Sequence, residues 1–410
     1  MWGAISSCWA LLLGLGVLMM GHGLQGTLLG VRAAAEEFPT EITGLVMTGY
    51  FAGFVLGSVL VPRLVKNVGH VRVFAALASL ASVAVLSHSV FVYPLFWFAM
   101  RFLTGFCFAG LYIVAESWIN DVATNKTRAT LLSVYMVIVM GAMAASQLLL
   151  NLADPRSFEL FVLVSVLVSL ALVPMLLSVA KAPEFSTPSA VSLRGLYAIT
   201  PFGVVGALAT GLTQGSVFGM GAVYAVDVGL TVSQISWFMT AIFLGSVLLQ
   251  WPMGLLADRY DRRSVIIILS TLAGLLAALC SHFGERSLTT LLALALLYGG
   301  LSMPLYAMFI AYTNDYIQPS ERVAASAGLV LIGGLGAVLG PLSCALVMGQ
   351  LGNGAFFLFL FAVHSMVAMF GLYRSTRREA PPLDEQVHFP ALGPRGSAVV
   401  VAMATEEVRE

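Results

Sequence analysis

Two stretches of the sequence decide the fold: residues 21–31 read GHGLQGTLLGV, and residues 210–220 read TGLTQGSVFGM. In each, glutamine, glycine and a hydroxyl residue are followed by a further glycine, and the two copies lie 189 residues apart. Further matches recur at offsets of 192 and 194 residues: Met47-Thr48 and Gly53 with Met239-Thr240 and Gly245, and Leu111-Tyr112, Asn120-Asp121 and Arg128 with Leu305-Tyr306, Asn314-Asp315 and Arg322. Because the three offsets are nearly equal, the matches indicate a duplicated chain.

The composition places this duplicated chain in a lipid bilayer. Of 410 residues, 59% are hydrophobic and only 10% are charged, with a mean hydropathy of +0.94, whereas soluble proteins carry about 25% charged residues. The 20 basic and 20 acidic residues balance, and no segment concentrates basic residues, which excludes nucleic acid as a partner. We expect no metal or cofactor, because the cysteines lie in apolar runs without metal-like spacing: Cys8, Cys107, Cys280 and Cys344.

Apolar runs long enough to span the bilayer recur along the chain, since a spanning helix needs about 20 mostly apolar residues. Twelve are predicted, near residues 8–31, 42–62, 72–92, 94–118, 129–151, 158–179, 196–223, 232–256, 264–282, 287–313, 323–348 and 354–373. The longest polar interruption lies near the midpoint. We therefore expect an all-α integral membrane protein with twelve transmembrane helices in two pseudo-symmetric six-helix bundles: bundles at residues 1–180 and 195–373, a cytoplasmic linker at 181–194 and a disordered cytoplasmic tail at 374–410.

The basic residues predict the orientation, because cytoplasmic loops retain Lys and Arg. With the amino terminus inside, the outer loops hold only Arg32, Arg156 and Arg286. The inner loops and the start of the tail hold fourteen: Arg63, Lys66, Arg72, Lys126, Arg128, Lys181, Arg194, Arg259, Arg262, Arg263, Arg322, Arg374, Arg377 and Arg378. We expect both termini in the cytoplasm.

The sequence GLLADRYDRR at residues 254–263 resembles the signature loop of the major facilitator superfamily, Gly-x-x-x-Asp-Arg-x-Gly-Arg-Arg, and departs from it only at Asp261. The equivalent loop after the second span, residues 57–72, lacks the signature aspartate. The stretch from Arg101 to Gly105 is similar to an Arg-x-x-x-Gly pattern of that superfamily. Together with Glu116-Ser117-Trp118, these residues resemble a poorly characterised bacterial branch of inner-membrane transporters.

The resemblance implies two bundles that rock about a central site, with ion pairs at the cytoplasmic ends acting as a gate. Such pairs suit a gate because each contributes about 0 to 1 kcal/mol when solvated. The alternative is that loop residues such as Arg63, Lys66 and Arg263 are merely solvated. The candidate gate residues are Asp258, Arg259, Arg262, Asp315 and Arg322 in the second half, and Arg72, Glu116, Asp121 and Arg128 in the first.

A few polar side chains inside the predicted spans are candidates for a substrate cavity. Arg101 needs a bundle interior or an aqueous cavity, because inserting a guanidinium there costs at least about 2.5 kcal/mol; an anion contact and a structural role both fit. Gln25 and its repeat mate Gln214 offer donors and acceptors without a charge. Tyr112 and Tyr306, also repeat mates, either line the cavity or pack in the core.

His22 is the best candidate for carrying a coupled proton, because imidazole titrates near pH 6.5 before perturbation. The alternative is a hydrogen-bonded packing residue. Two parallel repeats are a recognised transporter plan, so the sequence predicts a secondary active transporter that moves a small solute across the bacterial inner membrane as a monomer, with protons as possible coupling ions. A transporter-like receptor remains the alternative. A membrane-embedded enzyme is disfavoured because neither His-Glu-x-x-His nor Gly-x-Ser-x-Gly occurs.

Overall fold

The computed structural model describes residues 2–124, 127–176, 192–318, 320–379, 381–383, 386, 389 and 399–401. Up to Ser375 these residues form helices and the short connections between them, and the described residues beyond Ser375 are irregular except for a helical turn at Val399–Val401. The helices are α1 Trp2–Ala35, α2 Thr40–Val68, α3 His70–Val90, α4 Pro94–Val122, α5 Arg128–Leu148, α6 Glu159–Leu170, α7 Leu172–Leu176, α8 Leu193–Ile199, α9 Pro201–Asp227, α10 Val232–Arg259, α11 Arg262–Phe283, α12 Leu288–Ser302, α13 Leu305–Asn314, α14 Arg322–Leu351 and α15 Ala355–Ser375, with 3-10 turns at Leu149–Leu152 and Gly284–Arg286.

Local sequence fixes where several of these helices begin and end. Thr231 and Gln234 form a capping box that starts α10, and the Asp261 carboxylate accepts the Ser264 N–H at the start of α11. Glycine ends α2 at Gly69, where φ is 98°, a value that side chains with a Cβ rarely adopt. Short polar connections therefore separate long apolar helices.

Within the described residues, eleven helical segments are long and apolar enough to cross a membrane. The tenth predicted span is one of these segments, although Pro304 separates α12 from α13, since proline has no N–H to continue the helix. A shorter apolar helix, Glu159–Pro174, lies where the sixth span is predicted. The rest of that span and most of the predicted linker, residues 177–191, lie outside the described residues.

Corresponding helices of the two halves of the chain pack in corresponding pairs. In residues 2–176, α1 packs on α5, α2 on α4 and α3 on α6; in residues 192–379, α9 packs on α14, α10 on α12 and α11 on α15. The repeat glycines explain one of these matches. Gly53 of α2 lies against the Phe102 carbonyl, and its mate Gly245 of α10 lies against the Leu296 carbonyl, so that neither position has room for a Cβ.

Short loops join the long helices, so successive long helices run in opposite directions and the loops lie at two opposite ends of the molecule. The end that carries Glu36, Glu37, Glu41 and Asp227 is called the acidic end. The end that carries Arg63, Arg72, Arg259 and Arg322 is called the basic end.

The described part of the tail is packed, whereas its composition indicates disorder. Val400 and Val401 are buried in the larger apolar core, and Phe389 is half-buried against the helices. Val400 and Val401 belong to a short apolar run at residues 398–404, and burial removes such side chains from water. The remaining residues of the predicted tail beyond Glu379 are outside the described part of the chain, apart from Pro381, Pro382, Leu383, Gln386 and Val399.

Candidate functional site

Helices α5 and α10, one from each half of the chain, are joined by hydrogen bonds at the acidic end. The Ser236 hydroxyl donates to the Gln147 carbonyl at 2.6 Å and accepts from the Asn151 amide at 2.9 Å. One turn further in, the Thr240 hydroxyl donates to the Ala144 carbonyl at 3.3 Å. These bonds tie the two halves together at this end.

Helices α2 and α14 make a second close contact between the halves. The Thr48 hydroxyl donates to the Val338 carbonyl at 3.1 Å. Nearer the acidic end, Gly44 faces Ala345 and Pro341, and a Cβ on Gly44 would lie 3.0 Å from the Pro341 carbonyl oxygen. The small side chains let the two helices approach closely.

At the basic end, α5 and α10 are separated by a cavity of about 470 Å³. Its walls are mostly apolar. They include Met136 and Met140 of α5 and Trp251 and Gly254 of α10, with Phe389 of the tail at one side. The same two helices are therefore joined at one end and apart at the other.

The side chains of His22, Arg101 and Tyr50 meet on the face of the first half that borders the second half. His22 and Arg101 line one narrow cavity of about 10 Å³, room for about one water. The Arg101 guanidinium lies 4.7 Å from the ring centre of Tyr50, and the Tyr50 hydroxyl is 3.3 Å from His22 Nε2. Tyr50 thus connects His22 and Arg101, the two basic side chains that we proposed for the cavity from the sequence.

A second narrow cavity, of about 50 Å³, lies between the halves and has Tyr50 in its wall. Gln214 and Tyr306, predicted as cavity residues, both line it. Nε2 of Gln214 and both amide atoms of the fully buried Gln25 find no hydrogen-bond partner among the described residues. Since buried polar groups are normally paired, the Gln214 amide in the cavity wall is available to water or to a polar solute, whereas Gln25 is not among the residues that line either narrow cavity.

Two other predicted residues are engaged within the first half. The Tyr112 hydroxyl contacts Met19 Sδ at 2.8 Å, so this tyrosine packs on α1 while its repeat mate Tyr306 lines a cavity. Glu116 is completely buried and accepts a hydrogen bond from the Tyr135 hydroxyl. That bond links α4 to α5 within one half.

In the second half, the predicted gate residues form a compact network. Arg262 and Asp315 are both buried, and Arg262 Nη1 lies 2.6 Å from each oxygen of Asp315. Asp258 lies 3.4 Å from Arg262 Nη2. Because α11 and α13 belong to the same half, the network fastens that half internally.

The other predicted gate residues have more exposed positions. Arg72, Asp121 and Arg259 are exposed at the basic end, and Arg322 is half-buried at the start of α14. Among the described residues, Arg72 and Asp121 form no ion pair. Arg128 begins α5, and its side chain lies outside the described part of the structure. The first half therefore lacks a described counterpart of the Arg262 network.

Two residues of the site are missed by the sequence reasoning. Tyr50 carries no charge, although it precedes Gly53 by about one helical turn and Gly57 by about two, which places it on the packed face of α2. Gln147 is fully buried, accepts the Thr27 hydroxyl at 2.5 Å and binds the Gly23 carbonyl at 3.3 Å through its amide. A glutamine inside an apolar run is the signal that could have identified it.

Comparison with known sequences places these features in one family. The model described as Major Facilitator Superfamily matches residues 11–203 and 203–402. The uncharacterised MFS-type transporter YcaD of Escherichia fergusonii is 25% identical over 91% of this chain and 97% of its own. An MFS-type transporter of Enterobacter sp. strain 638 is 26% identical over 90% of this chain and 96% of its own.

Solved structures share the fold at low sequence identity. The nucleoside transporter NupG superposes with a TM-score of 0.76 at 14% identity, covering 90% of this chain and 99% of its own. A bacterial homologue of the human lysosomal transporter Spinster, inward-facing and occupied, gives 0.73 at 15% identity, covering 92% and 97%. The human organic anion transporter MFSD10 gives 0.60 at 15% identity, covering 90% and 99%.

Proposed function

The chain belongs to the Major Facilitator Superfamily, and we propose that it is a secondary active transporter that moves a small solute across the bacterial inner membrane by alternating access. The transporter has twelve spans in two six-helix bundles, residues 1–180 and 195–373, joined by residues 181–194. The separate family matches on either side of residue 203 and the matching helix pairs of the two halves support this division. The monomer is the working unit, because one chain supplies both bundles.

One observation carries the proposal: α5 and α10 are hydrogen-bonded at the acidic end and separated by about 470 Å³ at the basic end. A carrier that opens one side at a time needs such an asymmetry, and it must be able to reverse it. With the basic end in the cytoplasm, as the distribution of Lys and Arg indicates, the described conformation is closed toward the outside.

The solute site lies around Tyr50, between the two narrow cavities. Gln214 and Tyr306 face it from the second half, while His22 and Arg101 approach from the first. Cavities of about 50 and 10 Å³ are much smaller than ligand pockets of about 300–1,000 Å³. The site must therefore widen when solute enters, by relative movement of the two halves.

His22 is placed to couple a proton to this movement. Its imidazole is buried, lies beside Tyr50 and shares a cavity with Arg101. A proton on His22 repels the Arg101 cation, so protonation changes the charge balance of the solute site. We expect His22→Gln to transport solute without dependence on an imposed pH gradient, whereas an unaltered dependence on the gradient would remove His22 from the coupling step.

Flux through reconstituted protein tests the function. Proteoliposomes that contain a trapped pH dye are placed under a pH gradient and exposed to a panel of labelled nucleosides, organic acids, amines and sugars. Solute-dependent flux in wild type that is lost in Arg101→Ala and kept in Arg156→Ala, an exposed arginine of the acidic end, supports transport. Solute binding without flux at any gradient supports the receptor instead.

A further inference from the structure

The described residues that follow α15, 376–379, 381–383, 386, 389 and 399–401, are called the C-terminal segment. This segment is bound to the basic end immediately after α15. Arg263 Nη1 donates to the Arg378 carbonyl at 2.5 Å, and Arg378 Nη1 donates to the Ile199 carbonyl at 3.0 Å. The Arg378 guanidinium also lies 4.2 Å from the ring centre of Tyr316. The beginning of the segment is therefore held against the second half.

Further along the segment, Phe389 lies on α10 at the edge of the basic-end cavity. Its backbone N–H donates to Asp258 Oδ1 at 2.7 Å. Its ring covers Gly254 so closely that a Cβ on Gly254 would lie 2.6 Å from the ring. Phe389 is packed against both apolar core clusters of the protein and forms part of the wall of the cavity between α5 and α10.

The register of α5 against α10 shows which residues must approach if the basic end closes. At the acidic end Gln147 lies opposite Ser236, and Ala144 lies opposite Thr240. Eleven residues, about three helical turns, separate Ala144 from Ser133 on α5, and the same number separates Thr240 from Trp251 on α10. Closure in this register brings Ser133 toward Trp251, beside the stretch from Gly254 to Asp258 that Phe389 covers.

We propose that the C-terminal segment is an autoinhibitory wedge: Phe389, which packs on α10 in the wall of the cavity, stands in the way of α5 and holds the basic end open until the segment is released. This inference rests on the proposed function, because a wedge matters only if the two ends alternate. Buried Val400 and Val401 give the segment a second anchor beyond Phe389. The proposal makes the cycling rate depend on a contact that lies outside the solute site.

Double electron–electron resonance, which measures distances between pairs of spin labels, tests the wedge. The full chain is used in lipid nanodiscs, with its four cysteines replaced by serine. One label pair, at the exposed positions Asn67 of α2 and Leu256 of α10, reports the basic end. A second pair, at the exposed positions Leu152 and Ser233, reports the acidic end. We expect Phe389→Ala to add a shorter distance at the basic end and a longer distance at the acidic end. The population of molecules closed at the basic end should rise on the order of tenfold, the scale expected for losing a packed aromatic ring.

Two matched variants separate the wedge from general damage. Leu383→Ala changes an exposed apolar residue of the same segment and should leave both distances as in wild type. Phe389→Leu keeps an apolar side chain at this position and should stay closer to wild type than to Phe389→Ala.

The outcomes distinguish failure of the wedge from failure of the function. Equal populations of the two conformations in wild type and in Phe389→Ala would overturn the wedge. If both proteins showed the shorter basic-end distance together with the longer acidic-end distance to the same extent, the wedge would be wrong and alternating access would remain intact. A shorter basic-end distance with an unchanged acidic-end distance would contradict alternating access itself.

Discussion

The contacts between the two halves differ in kind from the contacts that hold one half together. At the acidic end, the halves are joined by neutral hydroxyl-to-carbonyl hydrogen bonds from Ser236, Thr240 and Thr48, each worth about 0.5–1.5 kcal/mol net. At the basic end, the strongest interaction, between Arg262 and Asp315, is buried within the second half. Strong interactions thus stabilise a half, while weak ones join the halves and can be exchanged during transport.

Removing the buried carboxylate should have the largest effect. Asp315→Ala leaves the buried Arg262 without its principal counter-charge, a change that typically costs about 3–5 kcal/mol. We expect a large fall in the thermal unfolding temperature of the purified protein in detergent. Asp121→Ala, the exposed repeat mate, should change the free energy of unfolding by no more than about 0.5 kcal/mol; equal losses in the two variants would refute the contrast.

Forcing the acidic end apart should have the next largest effect. Gly44→Leu places a side chain where Gly44 faces Ala345 and Pro341, and overpacking of this kind costs about 1–3 kcal/mol. The conformation closed at the acidic end should lose population, which would lengthen the distance between spin labels at Leu152 and Ser233. Gly141→Leu is the control, because a Cβ on Gly141 meets no atom within 4 Å. An unchanged distance in Gly44→Leu would show that this contact does not hold the end closed.

Removing one hydroxyl at the acidic end should have the smallest effect. Ser236→Ala eliminates the bonds to the Gln147 carbonyl and from the Asn151 amide, which should shift the balance between conformations by about 1 kcal/mol, or roughly fivefold. The same spin-label pair measures the shift. Thr289→Ala, which removes an exposed hydroxyl at the start of α12 at the same end, should give the wild-type distribution, and a matching shift there would exclude a specific role for Ser236.

The fold was more accessible from the sequence than the contacts within the site. The glycines Gly53 and Gly245 are part of the repeat that predicts two equivalent halves, and the structure places both against carbonyls of a neighbouring helix. The resemblance of the loop at residues 254–263 to the family signature implies ion pairs at this end, and two of the candidates named from it, Arg262 and Asp315, form such a pair. Such features depend on spacing along the chain, which the sequence contains.

The direction in which each side chain of a buried helix points was harder to predict from the sequence. Tyr112 and Tyr306 are repeat mates, yet Tyr112 packs on Met19 and Tyr306 lines a cavity. Every face of these helices is apolar, so periodicity does not indicate which face meets the other half. For the same reason Tyr50 and Gln147 were missed. The packing of Phe389 and Val401 depends on contacts distant in sequence, which composition alone does not reveal.

A cross-link at the acidic end tests alternating access most directly. The Asn151 and Ser236 side chains are 2.9 Å apart, so Asn151→Cys with Ser236→Cys, in a chain whose four cysteines are replaced by serine, should form a disulfide on oxidation. Alternating access predicts that oxidation stops solute flux into proteoliposomes and that a reductant restores it, while each single-cysteine variant transports under both conditions. Undiminished flux through the fully cross-linked protein would contradict the account.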